Sequence, residues 1–198
     1  MKRVFDSSKH FFLLEDKIKE KYSLDQDRFH GFIGASKELF DSKSKQELRE
    51  SFNVSILDPK LLPSNKEAPG FAQSLIDISH LSTELMRRIL KALAAYLTQN
   101  SMAFVQMFQS GFSEKSFTTL RSLYYPPILT NNEDLVRLGA HTDYGPLTLL
   151  FQDKVGGLEV FSPNVCKWIE ATPKDEALLL NAGDLLEILT SGHIPAAL

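Results

Sequence analysis

The longest regular pattern in the chain is an apolar stripe between Phe71 and Thr98. Leu75, Ile78, Leu81, Leu85, Ile89, Leu93 and Tyr96 recur at steps of three and four, the repeat of one helix face. Arg87, Arg88 and Lys91 fall mostly off that face, so the pattern predicts a helix packed by its apolar side. Upstream, Val4, Phe5, Phe11, Phe12, Leu14 and Ile18 are interleaved with charges and predict one or two short amphipathic helices. Asp25 to Ser36 reads as a loop around His30-Gly31-Phe32. Ser44-Lys45-Gln46-Glu47 fits a capping box, in which hydroxyl and carboxylate each satisfy a free backbone N–H at a helix start. The helix it predicts is short, because Asp58-Pro59, Pro63 and Pro69-Gly70 mark an irregular stretch.

After Gly111 the period changes. Short apolar runs at Thr119–Tyr125, Val136–His141, Leu147–Phe151, Leu158–Phe161, Lys167–Glu170, Ala177–Asn181 and Leu185–Leu189 alternate with turn residues. Runs of this length between Pro, Gly and Asn breaks predict the strands of a sandwich or barrel. Helices first and strands later predict an α+β fold, with helices on one face of a mainly antiparallel sheet. The chain therefore divides into a mainly helical flanking region, residues 1–110, and a strand-rich core, residues 111–198, together one domain.

Composition narrows the function. Apolar residues make up 43% and charged residues 24%, as in ordinary globular proteins. The net charge is −3, without a basic block, which argues against a nucleic-acid partner. The longest apolar runs fall far below membrane-spanning length, and Met-Lys-Arg-Val-Phe-Asp at the N-terminus lacks a signal-peptide core. A single cysteine, Cys166, excludes an internal disulfide framework and fits a reducing compartment. These features together point to a cytoplasmic protein.

Candidate chemistry centres on His141-Thr142-Asp143, within Leu138–Phe151. In an extended segment His141 and Asp143 share a face, so one imidazole and one carboxylate converge. Those are two of the three ligands of the two-histidine, one-carboxylate triad that holds non-haem Fe(II). Taken alone the spacing is weak, and a surface turn before Gly145-Pro146 accounts for it better.

Its surroundings add more. Leu120-Arg121-Ser122-Leu123-Tyr124-Tyr125-Pro126-Pro127 precedes it; Leu147–Asp153, Gly156-Gly157-Leu158-Glu159-Val160, Trp168-Ile169 and Asn181-Ala182-Gly183-Asp184-Leu185-Leu186 follow. In order and spacing these stretches resemble the Fe(II)/2-oxoglutarate-dependent dioxygenases of the isopenicillin-N-synthase-like family, and His30-Gly31-Phe32 and Lys45–Phe52 extend the likeness to nearly the whole chain. The resemblance implies a double-stranded β-helix, or jelly roll, with N-terminal flanking helices. It implies Fe(II) and 2-oxoglutarate as cofactor and co-substrate, with O₂, and a small-molecule substrate that is hydroxylated, desaturated or ring-closed. By position it makes His141 and Asp143 metal ligands, and makes Tyr125 a hydrogen-bond donor to the 2-oxoglutarate tail carboxylate. Arg121 shares the Tyr125 face and either pairs with an anionic group or joins a surface ion pair. Gly145, Gly156, Gly157 and Gly183 read as turn residues tolerating positive φ, and Trp168 as core. His10, His30 and His80 read as ordinary packed or exposed histidines.

The family pattern runs out at Leu198, before its distal histidine and its Arg-x-Ser; His193 falls in the preceding turn and does not match the third ligand. On this reading the chain is truncated at both ends and the jelly roll is incomplete. The alternative is a catalytically inactive fragment or pseudoenzyme serving as an interaction module. A cupin-like zinc hydrolase using His141 and Asp143 agrees less well with the Tyr125-Pro126 and Gly156-Gly157-Leu158 stretches. Oligomeric state and the identity of the substrate are not encoded in any of these patterns.

Overall fold

A computed structural model describes residues 1–35, 46–97, 112, 118–127 and 135–198. Contacts divide the chain into two compact units, Met1–Gly139 and Ala140–Leu198. This boundary differs from the change of sequence character after Gly111.

In the first unit, α1 (Lys2–Phe12) and α2 (Asp16–Lys19) form where the charge-interleaved apolar positions predict short helices. Lys9 and His10 occupy the last turn of α1, where positive charge complements the helix dipole. The strongest periodic signal becomes α3 (Phe71–Leu97). Its buried face is Phe71, Ser74, Leu75, Ile78, Ser79, Leu90 and Ala94, whereas Leu81 and Tyr96 of the expected stripe are 69% and 86% exposed. Small residues replace them on the buried side, which the apolar pattern could not register.

Two expectations change here. His30-Gly31-Phe32 is not simply loop: Gly31–Ile33 is strand β1. Ser44 and Lys45 lie outside the described residues, and Gln46–Glu47 forms strand β2 instead of a first helical turn. Glu50–Val54 then forms β3. Strand β3 lies between β1 and β4 (Leu120–Tyr124) in an antiparallel sheet, while β2 pairs in parallel with β5 (Leu135–Val136). The β3 alternation places Phe52 and Val54 in the aromatic core, with Ser51 and Asn53 buried at the alternate positions. Phe11 stacks on Phe71 at 4.5 Å and meets Phe52 edge-on at 5.3 Å, so α1, α3 and β3 share one core. The sheet also fixes Arg121, whose Nε donates to Asn53 Oδ1 at 3.0 Å from the paired position.

His30 is buried on this sheet. The Ser55 N–H donates to its Nδ1 at 3.4 Å, and its Nε2 lies 3.3 Å from the Leu61 carbonyl oxygen. A backbone amide can only donate and a carbonyl can only accept, so the ring is neutral with its proton on Nε2. Burial lowers its pKa, against a smaller opposing effect of the Leu61 carbonyl. His10 and His80 are exposed.

In the second unit, β6 (Leu147–Leu150) pairs antiparallel with β9 (Leu179–Ala182), and β7 (Glu159–Ser162) with β8 (Lys167–Glu170). Trp168 is 45% exposed rather than core; it sits opposite Phe161 in β7 and meets that ring edge-on at 5.5 Å. Leu185–Leu189, read as a strand, is helical: α4 covers Asp184–Leu189. The N–H of Gly192 bonds the Glu187 carbonyl and that of Ser191 bonds Ile188, a Schellman ending with Ser191 at φ 50°. The architecture of the described residues is α+β, with antiparallel pairing in three of its four small sheets.

Candidate metal centre

The stretch from Gly139 to Pro146 carries no regular secondary structure. It leads into β6, and its shape is set by the Asn181-Ala182-Gly183-Asp184 stretch at the end of β9. The Asp184 N–H donates to the Asp143 carbonyl at 2.8 Å, and Leu185 N–H to the Tyr144 carbonyl at 3.3 Å. Gly183 N–H donates to the Pro146 carbonyl at 3.1 Å. Gly183 is buried at φ −118°, which any residue adopts. Glycine is needed there for another reason: a Cβ would collide with the carbonyl oxygens of Asp143 and Gly145. The positive-φ expectation holds for Gly156 and Gly157, but at Gly183 close backbone approach is the cause.

This frame brings the two predicted ligands together. His141 Nε2 lies 3.8 Å from Asp143 Oδ1, with both side chains partly exposed. The other oxygen, Asp143 Oδ2, accepts a hydrogen bond from Asn181 Nδ2 at 2.8 Å. One imidazole nitrogen and one carboxylate oxygen are thus presented to the same point, and the second oxygen is held away. This donor set fits Fe(II), which accepts imidazole and carboxylate ligands. Among the described residues no group of three His, Cys, Asp or Glu side chains is gathered as a metal site. His193 stands in the turn after α4, with Nδ1 2.7 Å from the Thr190 carbonyl.

Tyr125 follows β4 in the first unit and is 39% exposed. Sequence reasoning identifies His141 and Asp143, whose spacing is local, but assigns Asn181 and Gly183 no part in holding Asp143. The signal is present as Asn-x-Gly-Asp; its meaning depends on the pairing of β6 with β9.

The family model of the 2OG-Fe(II) oxygenase superfamily matches residues 116–198. These residues belong to that superfamily. The oxygenase stretch contains Tyr125, His141 and Asp143. Over 98% of its length the chain is 30% identical to the 2-oxoglutarate-dependent dioxygenase htyE of Aspergillus rugulosus, covering 64% of that protein. Over 97% it is 29% identical to a UPF0676 protein of Schizosaccharomyces pombe, covering 61% of it. Among solved structures, a full-length Neurospora crassa protein in complex with alpha-KG superposes with a TM-score of 0.85 at 28% identity, over 99% of this chain and 63% of that one. The same Neurospora protein is solved with 5-formyluracil and with thymine. The chain thus spans somewhat under two thirds of each of these three proteins.

Proposed function

We propose that the protein is a non-haem Fe(II)- and 2-oxoglutarate-dependent oxygenase that hydroxylates, desaturates or ring-closes a small organic molecule. The observation that carries this reading is the convergence of His141 Nε2 and Asp143 Oδ1 at 3.8 Å inside the superfamily stretch. His141 and Asp143 hold Fe(II). Tyr125 donates its phenol O–H to the tail carboxylate of 2-oxoglutarate, a contact that adds no charge. Iron and 2-oxoglutarate supply the O₂-dependent oxidation, and the protein orients them and the substrate. On the same reading the two strand ladders of the second unit, β6–β9 and β7–β8, belong to a double-stranded β-helix core within residues 111–198, which forms one domain with the flanking region 1–110. Relatives named as a 2-oxoglutarate-dependent dioxygenase and as a 2-oxoglutarate-Fe(II) type oxidoreductase favour this enzyme over an inactive interaction module.

The protein works in the cytoplasm on a small molecule, without a nucleic-acid or membrane partner. The free, exposed Cys166 and the lack of a basic block support this, and no helix among the described residues is long and apolar enough to cross a membrane.

The test is 2-oxoglutarate-dependent succinate formation by the full-length protein with Fe(II), on a panel of small molecules that includes thymine. His141→Ala and Asp143→Ala are expected to lower turnover by about 100-fold or more, since each removes a metal ligand. Tyr125→Phe removes one hydrogen bond and is expected to raise KM for 2-oxoglutarate about 10-fold with a smaller change in kcat. Undiminished turnover in His141→Ala overturns the metal assignment; an unchanged KM in Tyr125→Phe removes Tyr125 from the co-substrate site.

A further inference from the structure

We propose that Asn181 is a positioning residue that makes Asp143 a one-oxygen ligand. The inference rests on the iron-site reading above and extends it to a residue that does not touch the metal.

Both oxygens of a free carboxylate can bind one cation. Asp143 is not free to do so. Its Oδ2 is taken by Asn181 Nδ2 at 2.8 Å, and its Oδ1 is the oxygen turned toward His141. Asn181 is itself fixed. It lies in β9 opposite Thr148 of β6, and two residues later the backbone of Gly183 closes on the Asp143 carbonyl. The Asp184 N–H then bonds that carbonyl at 2.8 Å. Residues 181–184 therefore hold Asp143 at its carboxylate and at its main chain. The main-chain contacts place the residue; Asn181 sets the carboxylate rotation.

An amide suits this task. It supplies an N–H donor without a positive charge, so Asp143 keeps its full charge for the cation. A lysine or arginine at that place would compete with the metal. Holding Oδ2 away keeps one coordination position from being closed by the protein, and the proposed reaction needs open positions for 2-oxoglutarate and O₂. Partners of this kind orient a ligand and, when removed, cost about 10- to 100-fold in affinity or activity.

The test uses the full-length protein with Co(II), an air-stable substitute for Fe(II) with a visible spectrum sensitive to coordination number. The variants are Asn181→Ala, which deletes the donor, and Asn181→Asp, which keeps the shape and turns the donor into an acceptor. Metal-free thermal unfolding is measured beside each titration to separate binding from folding. We expect Asn181→Ala to bind Co(II) about 10- to 100-fold more weakly, with its spectrum shifted toward a higher coordination number as Oδ2 is released, and Asn181→Asp to give an altered spectrum because its carboxylate repels Oδ2 instead of holding it. His141→Ala and Asp143→Ala serve as reference variants. If they bind Co(II) as the parent does, or the parent binds none, the iron site is wrong and this inference falls with it. If they lose binding while both Asn181 variants keep the parent affinity and spectrum, the iron site stands and the role of Asn181 is wrong. If Asn181 variants weaken binding only in proportion to lost folded protein, with an unchanged spectrum, Asn181 is merely structural and the inference is again overturned.

Discussion

At the residue scale the site depends on backbone as much as on ligands. Asp143 is held by a carbonyl contact that exists because position 183 has no side chain. Gly183→Ala would drive a Cβ into the Asp143 and Gly145 carbonyl oxygens, and neither is the end of a flexible side chain. The backbone must shift, at a cost of about 1–3 kcal/mol typical of overpacking. Asp143 would move with it. Gly145→Ala is the contrast, since a Cβ there meets nothing within 4 Å, and it should change stability by no more than about 0.5 kcal/mol. Thermal unfolding and Co(II) titration of the two variants check this. Equal behaviour of the pair would show that the close approach at Gly183 does not hold the site.

At the element scale, α4 offers a clean separation of two readings of one apolar run. As a strand, Leu186 and Ile188 would share a face and respond alike to truncation. As a helix they face apart, and Leu186 is 1% exposed against 71% for Ile188. Leu186→Ala should cost about 2–5 kcal/mol, and Ile188→Ala should stay within about 0.5 kcal/mol, by denaturant unfolding. Similar losses for both would restore the strand. Short apolar runs are ambiguous by period alone, which is why the sequence reads as strand where the chain is helical. The long repeat of α3 is legible because 27 residues give the period time to declare itself. Strand β3 is not, although Phe52 and Val54 alternate with Ser51 and Asn53. Its partners lie in residues 31–33 and 120–124, and a local capping signal at Ser44–Glu47 points to helix instead. The same contrast governs the site. His141 and Asp143 are two apart and readable; Asn181 reaches Asp143 across 38 residues, through a pairing no local pattern encodes.

At the scale of the whole molecule, Lys19, Lys21, His30 and Glu67, all in Met1–Gly139, have displaced pKa values and make stability depend on pH. His30 has a pKa below its ordinary 6.5, chiefly because burial disfavours the charged ring. Protonation would also set an N–H on Nδ1 against the Ser55 N–H. For a base held low in the folded state, the unfolded chain takes up the proton first. The His30 contribution is therefore complete above pH 6.5 and is lost as pH falls from 6.5 toward the lowered value. Glu67 acts lower down. Hydrogen bonds from Lys21, Tyr22 and Ser64 hold its carboxyl at about 2 against an ordinary 4.5, so its contribution is present above 4.5 and lost as pH falls toward 2. On the alkaline side burial alone would lower Lys19, but hydrogen bonds and charge from Glu50 and Asp16 outweigh it and its pKa is raised. Its contribution disappears as pH climbs through that raised value, above 10.5. Unfolding midpoints should thus carry one acid step below pH 6.5, from His30, and a second below pH 4.5, from Glu67. His30→Asn keeps an acceptor for Ser55 and a donor for Leu61 without a titrating ring. It should erase the upper acid step and leave the lower one. Denaturant melts at spaced pH values on parent and variant decide the point, and an upper step of equal size in both would show that His30 is not its source.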